Sequence, residues 1–173
     1  VTPDEGLSGF SNRATITILG LLIISAALEN TGAVSILGEK LLKIMPSTEW
    51  VVILILMLVA AFASAFIATT AVVAVFIPVT IKISRITGIN AAKLLMPLSF
   101  AAIIGGSSTI IGTSTNILVN SLARDSNVGS FGIFEITWLG VIFLVALIVY
   151  MLLTGRHLIP NRRGEDFAET YKL

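Results

Sequence analysis

The sequence contains no cysteine and a single histidine, and only 12% of its 173 residues are charged. The missing cysteines exclude disulfides and thiolate metal sites, and the lone His157 excludes a histidine-based metal cluster. Soluble domains carry roughly 25% charged residues. The low charge, together with 55% hydrophobic residues and a mean hydropathy of +0.99, therefore indicates an integral membrane protein.

Two further absences narrow the function. The formal net charge is only +1, and the basic residues form short clusters between apolar runs, which excludes nucleic acid as a partner. No carboxylate pair, no Ser/His/Asp set and no phosphate-cradling loop is present in the sequence. The sequence therefore offers no residues for enzymatic catalysis, and no cofactor is expected.

Long apolar runs predict an all-α membrane protein. Residues 14–28 form a first span, and residues 138–153 form a last span whose Trp138 and Tyr150 suit the membrane interface. Between them, residues 34–44 combine apolar positions with Glu39, Lys40 and Lys43, which predicts an amphipathic helix lying at the interface.

Residues 50–81 carry no charge, which is too long a run for one upright span and too short for two spans with a turn. Their centre is small and hydroxylated, so we predict a re-entrant helical hairpin with its tip at 68–70 and its second arm ending around 78–82. Turn-like residues follow at 87–90. The alternative is that the central hydroxyls bond back to carbonyls one turn earlier.

A second uncharged run, 94–123, is interrupted by Gly105, Gly106 and a cluster of hydroxyls with one amide. Irregular backbone at membrane depth survives only where it is buried in protein or faces a water-filled cavity. We therefore predict a discontinuous helix, with helix at 93–104, an unwound loop at 105–116 and helix at 117–124. The alternative is small-residue helix packing, which usually spaces its small residues every fourth position.

Interrupted helices offer two kinds of ligand. Unwound carbonyls with Asn116 and Thr113 suit a hard cation such as sodium. Helix N-termini, predicted at Ile117 and Ala71, carry partial positive charge and free N–H groups, which suit an anionic solute. Glu29 is interpreted as an interfacial charge and not as a proton carrier.

The distribution of basic residues predicts the topology. If the first span runs inward, nine Lys and Arg residues are cytoplasmic and only Arg13 and Arg124 are external, as the positive-inside rule requires. We expect a multi-pass protein of the plasma (inner) membrane. Because this orientation starts the chain outside without a signal peptide, we expect a fragment, with a partial membrane transport domain at 1–155 and a cytoplasmic linker or tail at 156–173.

The chain resembles the divalent anion:sodium symporter family, within the wider ion transporter superfamily of citrate transporter-like permeases. The resemblance rests on stretches that cover nearly the whole chain: GFSNRATITILGLLIISAALENTGAV, SAFIATTAVVAVFIPV, KLLMPLSFAAIIGGSSTIIGTSTNILV, FGIFEITWLGV and GRHLIPNRR. It implies the first half of an inverted-repeat transporter that lacks its first helices. It also implies a missing second-repeat half, a homodimeric scaffold and elevator-like alternating access.

The resemblance also implies the site residues. Substrate binding falls on Thr69, Thr70, Thr113, Ser114, Thr115 and Asn116. Sodium, the expected coupling ion, would bind at Ser64, Ala68, Thr69, Gly112 and Asn116. The chain departs from the family at the tip, where Thr69 stands in place of the usual asparagine.

The sequence thus predicts a sodium-coupled carrier of a small anion, such as a di- or tricarboxylate or sulfate. Three alternatives stay open: a cation:proton antiporter, an arsenite permease, or a non-transporting scaffold or channel-like subunit. The lack of a carboxylate at mid-membrane weighs against proton antiport. Because one repeat cannot close the site, we expect the 173-residue chain alone to transport nothing.

Overall fold

The computed structural model describes residues 2–3, 8–32, 36, 40 and 48–155, and every regular element in these ranges is helical. The all-α prediction is therefore confirmed for this part of the chain. A 3-10 turn at Ser8–Ser11 comes first. The helices that follow are α1 (Arg13–Asn30), α2 (Glu49–Ser64), α3 (Thr69–Thr87), α4 (Ala91–Ser107), α5 (Ser114–Asp125) and α6 (Thr137–Tyr150), which continues into a π-helical turn, Met151–Gly155.

The boundary between α3 and α4 follows from local sequence. Gly88 adopts the left-handed conformation, with φ at 73°, and ends α3. The Asn90 side chain then accepts a hydrogen bond from Ala92 N at 2.9 Å and starts α4. The predicted turn at 87–90 is confirmed. The predicted end of the second arm at 78–82 is wrong, because α3 passes through Pro78 and continues to Thr87.

One large apolar core holds α2, α3 and α4 together, with Met151 at its edge. At Gly105, α4 approaches α2 so closely that a Cβ atom would overlap the Ala61 backbone, so this position requires glycine. An ion pair between Lys93 Nζ and Glu49 Oε1, at 3.2 Å, joins the first turns of the same two helices.

Helix α1 lies outside this core. A smaller apolar cluster joins Ala14 of α1 to Ile110 and Ile117. Ile110 lies just before α5, and Ile117 lies in its first turn. Asn12 Oδ1 caps α1 by accepting from Ala14 N at 2.8 Å, and it also accepts from Ser121 Oγ of α5 at 3.3 Å. Helix α1 is thus docked on α5 and not on the large core.

Within the described ranges, two helices, Thr69–Thr87 and Thr137–Gly155, are long and apolar enough to cross a membrane. Helix α2 is only 16 residues long, about 24 Å at 1.5 Å per residue, against a hydrocarbon core of about 30 Å. Of the predicted interfacial helix at 34–44, the structure describes residues 36 and 40, both helical. The Glu29 side chain and the tail at 156–173 lie outside the described residues.

Thr80 of α3 provides a test of the core. It is 0% exposed, and its Oγ1 has no hydrogen-bond partner among the described residues. A buried hydroxyl without a partner costs about 1–3 kcal/mol. We expect Thr80→Val to raise the thermal stability of the detergent-purified full-length protein.

Thr87→Val is the matched control. Thr87 Oγ1 donates to Ile83 O at 2.8 Å, so its loss should leave the protein no more stable than the wild type, or less stable. If Thr80→Val proved less stable than the wild type, the interpretation of Thr80 as an unsatisfied core hydroxyl would be wrong.

Candidate functional site

The first helix break lies between α2 and α3, at residues 65–68. Ala65 N and Ile67 N still bond to carbonyls of α2, at Ala61 O and Ala63 O, and so close its last turn. Ala68 is the N-cap residue of α3 and makes no side-chain capping bond. The predicted tip at 68–70 is therefore the start of α3, and the helix N-terminus lies at Thr69 and not at Ala71.

The second break lies between α4 and α5, at residues 108–113, and is shorter than the predicted loop at 105–116. Gly105 and Gly106 stay helical because α4 packs closely there against α2 and the start of α3. Helix α5 begins at Ser114 and not at Ile117. The cause is Thr113, whose Oγ1 caps the helix by accepting from Asn116 N at 3.4 Å.

Hydrogen bonds join the two breaks. Thr109, 2% exposed, donates its hydroxyl to Ala65 O at 2.6 Å and accepts from Gly112 N at 3.0 Å. One side chain thereby satisfies a freed carbonyl of the first break and a freed N–H of the second. The structure thus brings together the two elements that the sequence singled out.

The two breaks are also in close steric contact at Gly106. Ser64 Oγ and Thr69 Oγ1 lie 2.9 Å apart, and a Cβ atom on Gly106 would overlap Thr69 Oγ1 and lie 3.0 Å from Ser64 Oγ. Any side chain at position 106 would separate the two breaks. Glycine at this position therefore positions the site.

Asn116 has a supporting position. Its Nδ2 donates to Ser107 O at 3.1 Å and to Thr109 O at 2.9 Å, so both amide hydrogens are used on carbonyls at the end of α4. Because freed carbonyls in apolar surroundings are costly, these bonds stabilise the shape of the second break.

A cavity of about 240 Å³ lies between α1 and the two breaks. Six of the predicted site residues line it, and three, Ser64, Thr115 and Asn116, do not. The lining residues that the sequence predicted are Ala68, Thr69, Thr70, Gly112, Thr113 and Ser114. The other lining residues are Ile18, Leu21, Leu22, Ser25, Phe66, Ile111 and Ile117.

Among the described residues, those that line the cavity include no charged side chain, but they include the first residues of two helices. The N–H groups in a first helical turn have no partner within the helix, and they carry partial positive charge. Thr70 and Ser114 are exposed, and their hydroxyls have no hydrogen-bond partner among the described residues. The cavity therefore offers uncharged donors to a small anion.

Part of the hydroxyl cluster is structural. Ser107 Oγ and Ser108 Oγ bond back to Ile104 O of their own helix, at 2.9 and 2.7 Å. The alternative for the hairpin tip, in which Ser64 and Thr69 bond back to carbonyls one turn earlier, is not what the structure has. Their hydroxyls bond to each other across the first break.

A cation site would draw on oxygen ligands. Among the described residues, no group of three or more His, Cys, Asp or Glu side chains could hold a metal ion. The Ser64 and Thr69 hydroxyls lie beside the two breaks, where carbonyls are freed. Hydroxyl and carbonyl oxygens are ligands that fit sodium.

Three positions near the site were missed by sequence reasoning: Ser25, Phe66 and Thr109. Phe66 packs edge-on against Phe134, with ring centroids 6.4 Å apart. Ser25 had a usable signal, because it follows Ile18, Leu21 and Leu22 at helical spacing and is the polar member of that face.

The chain was compared with known proteins. The citrate transporter family model matches residues 1–170. An uncharacterized transporter of Synechocystis sp. is 39% identical over 164 residues, which is 95% of this chain and 27% of the relative. The uncharacterized transporter YfbS of Escherichia coli is 36% identical over 184 residues, covering 100% of this chain and 30% of YfbS.

Sodium/sulfate cotransporter 2 of Chlamydomonas reinhardtii is 31% identical over 168 residues, which is 93% of this chain and 19% of that protein. The chain therefore spans a third or less of the length of these relatives. No solved structure matches it. The matched family and relatives are transporters and not enzymes, which confirms the expectation from the sequence. The chain belongs to the citrate transporter family of membrane transporters.

Proposed function

We propose that this chain is part of a sodium-coupled secondary transporter for a small anion, such as a di- or tricarboxylate or sulfate, and that the cavity is its solute site. The observation that carries the proposal is the wall of the cavity. In the part of the chain that the structure describes, two helix N-termini and the unpartnered hydroxyls of Thr70 and Ser114 line it, and no charged side chain does. The similarity to a protein named as a sodium/sulfate cotransporter supports it.

An uncharged wall explains why a cation would be coupled to the solute. An anion entering the cavity loses water and finds N–H and hydroxyl donors, but it finds no lysine or arginine among the lining residues. Sodium bound nearby, with Ser64, Ala68, Thr69, Gly112 and Asn116 as its candidate residues, would supply the compensating charge. Because opposite charges attract strongly at low dielectric, each ion would raise the affinity for the other.

The proposed role of Asn116 in sodium binding is indirect: it fixes the positions of two backbone carbonyls at the second break. Its amide nitrogen is engaged by Ser107 O and Thr109 O, which keeps the second break open. Thr69, where the family usually has asparagine, supplies a hydroxyl oxygen beside Ser64. Thr115 is kept as a substrate candidate from the family resemblance.

Proton antiport is disfavoured by the same wall. Proton relays within membranes usually use Asp, Glu or His, and none of the described residues that line the cavity is of these types. Thermal stabilisation by a set of anions would distinguish the proposed anion carrier from an arsenite permease and from a non-transporting scaffold or channel-like subunit.

We further propose that α2 and α3 form a re-entrant hairpin and that α4 and α5 form one discontinuous helix. The 16-residue length of α2 supports the hairpin. In the complete transporter, an inverted second repeat would close the cavity. A homodimeric scaffold in the plasma membrane would allow elevator-like movement.

The first prediction concerns ligands of the full-length protein. We expect its melting temperature to rise with one of citrate, succinate, sulfate or phosphate when sodium is present, and not with potassium. A ligand at about a hundred times its Kd adds roughly 2.7 kcal/mol of stability. A flat panel would contradict the proposal and favour another ion or a non-transporting role.

The second prediction concerns Thr70. A hydrogen bond to a charged group contributes about 1.5–3 kcal/mol, and each 1.4 kcal/mol is about tenfold in affinity. We therefore expect Thr70→Val to raise the KM for the anion about tenfold or more in an uptake assay. Thr17→Val is the control, because Thr17 is exposed on α1 and its hydroxyl bonds to Arg13 O. A Thr70→Val protein with the wild-type KM would count against the site.

The third prediction separates the roles of Asn116. Asn116→Ala should abolish uptake while membrane insertion stays intact, and Asn116→Asp should be as damaging, because aspartate cannot donate to Ser107 O and Thr109 O. Both variants should also melt at a lower temperature without ligands. Sodium-dependent uptake by Asn116→Asp would show that the side-chain oxygen matters and not the donors.

A further inference from the structure

Helix α1 supplies one polar group to the cavity. Its lining residues Ile18, Leu21, Leu22 and Ser25 are spaced so that they share one helical face. Ser25 is 9% exposed, although large apolar neighbours such as Ile23 and Ile24 face outward. A buried serine on the inner face of an otherwise apolar helix needs a hydrogen-bond partner.

That partner is the start of α3. Ser25 Oγ accepts a hydrogen bond from Ala68 N at 3.3 Å, longer than the usual 2.9–3.0 Å for such bonds. Ala68 is the N-cap residue of α3, and alanine has no side-chain acceptor with which to cap a helix. Helix α5, at the other side of the cavity, has its own cap in Thr113.

The acceptor for the Ala68 N–H, at the start of α3, therefore comes from another helix. The bond is weak, and it joins α1 to an element of the large core, although α1 is otherwise docked on α5. An oxyanion in the cavity would be a better acceptor for the same N–H, because hydrogen bonds to a charged group are roughly twice as strong as neutral ones.

We infer that Ser25 sets the solute affinity of this cavity: its hydroxyl holds the Ala68 N–H while the cavity is empty, and the bound anion displaces it. The inference rests on the proposed function of the cavity. It makes the N–H of Ala68 a solute-binding donor, and it makes Ser25 a competitor for that donor.

The test is uptake by the full-length protein with radiolabelled sulfate in sodium, or with the anion of the panel that stabilises the protein. Because Ser25→Ala removes the competitor, its KM should fall about three- to tenfold, the worth of one net hydrogen bond. Ser25→Thr should restore the wild-type KM.

Ser121→Ala is the matched control. It also removes a serine hydroxyl that joins α1 to another helix, here through Asn12, but Ser121 does not line the cavity. Its KM should equal that of the wild type. A fall in KM for both variants would show that loosening α1 is sufficient, and it would overturn the role of Ser25.

A second variant removes the donor instead of the acceptor. Ala68→Pro deletes the N–H, and the φ of −52° at Ala68 suits proline. We expect its KM to rise, and Ser25→Ala should then have no further effect. This variant also decides the question if Ser25→Ala fails to fold.

The possible failures can be told apart. An unchanged or raised KM for Ser25→Ala, or a wild-type KM for Ala68→Pro, would overturn the inference while the transporter remained active. No uptake or stabilisation of the wild type with any of the anions would overturn the proposed function itself, and this inference with it.

Discussion

A helix that stops within apolar surroundings frees carbonyls and N–H groups, and each of them costs free energy unless it finds a partner. The described part of the chain has two adjoining helix breaks that free such groups, at residues 65–68 and 108–113. The Thr109 hydroxyl serves both breaks, since it donates to Ala65 O and accepts from Gly112 N. The rest of the site depends on this bridge, because it fixes the two breaks against each other.

The bridge leaves an asymmetry between donors and acceptors. Freed carbonyls at the end of α4 accept hydrogen bonds from Asn116, and Ala65 O accepts one from Thr109. The first-turn N–H groups of α3 and α5 have no partner within their helices, and these helix starts line the cavity. These three carbonyls are therefore satisfied internally. The two helix starts line the cavity, and N–H donors of this kind suit an anion.

Helix α1 completes the wall without joining the main core. Its contacts with the other helices include a small apolar cluster, the Asn12–Ser121 hydrogen bond and the Ser25–Ala68 hydrogen bond. These are weaker than the packing of α2 against α4, where Gly105 allows backbone contact. In our account, the cavity lies at a boundary where one wall can change its contacts while the two breaks stay together.

Much of this arrangement could be predicted from the sequence. Glycines and hydroxyls in uncharged runs located both breaks, and six of the nine predicted site residues line the cavity. The loop boundaries were wrong because close packing keeps Gly105 and Gly106 helical, and the Thr113 cap starts α5 early. The helical pattern could have indicated that Ser25 faces inward, but it does not predict the contact with Ala68, 43 positions further along the chain, on which the role of Ser25 depends.

Hydrogen exchange of the full-length transporter tests the central claim most directly. Amide exchange at residues 68–71 and 112–116 would be measured with sodium alone, with the stabilising anion alone and with both. We predict that the two segments gain protection together, and to the full extent only when sodium and the anion are both present. Protection of one segment without the other, or strong protection confined to other helices, would show that the two breaks do not form one anion site.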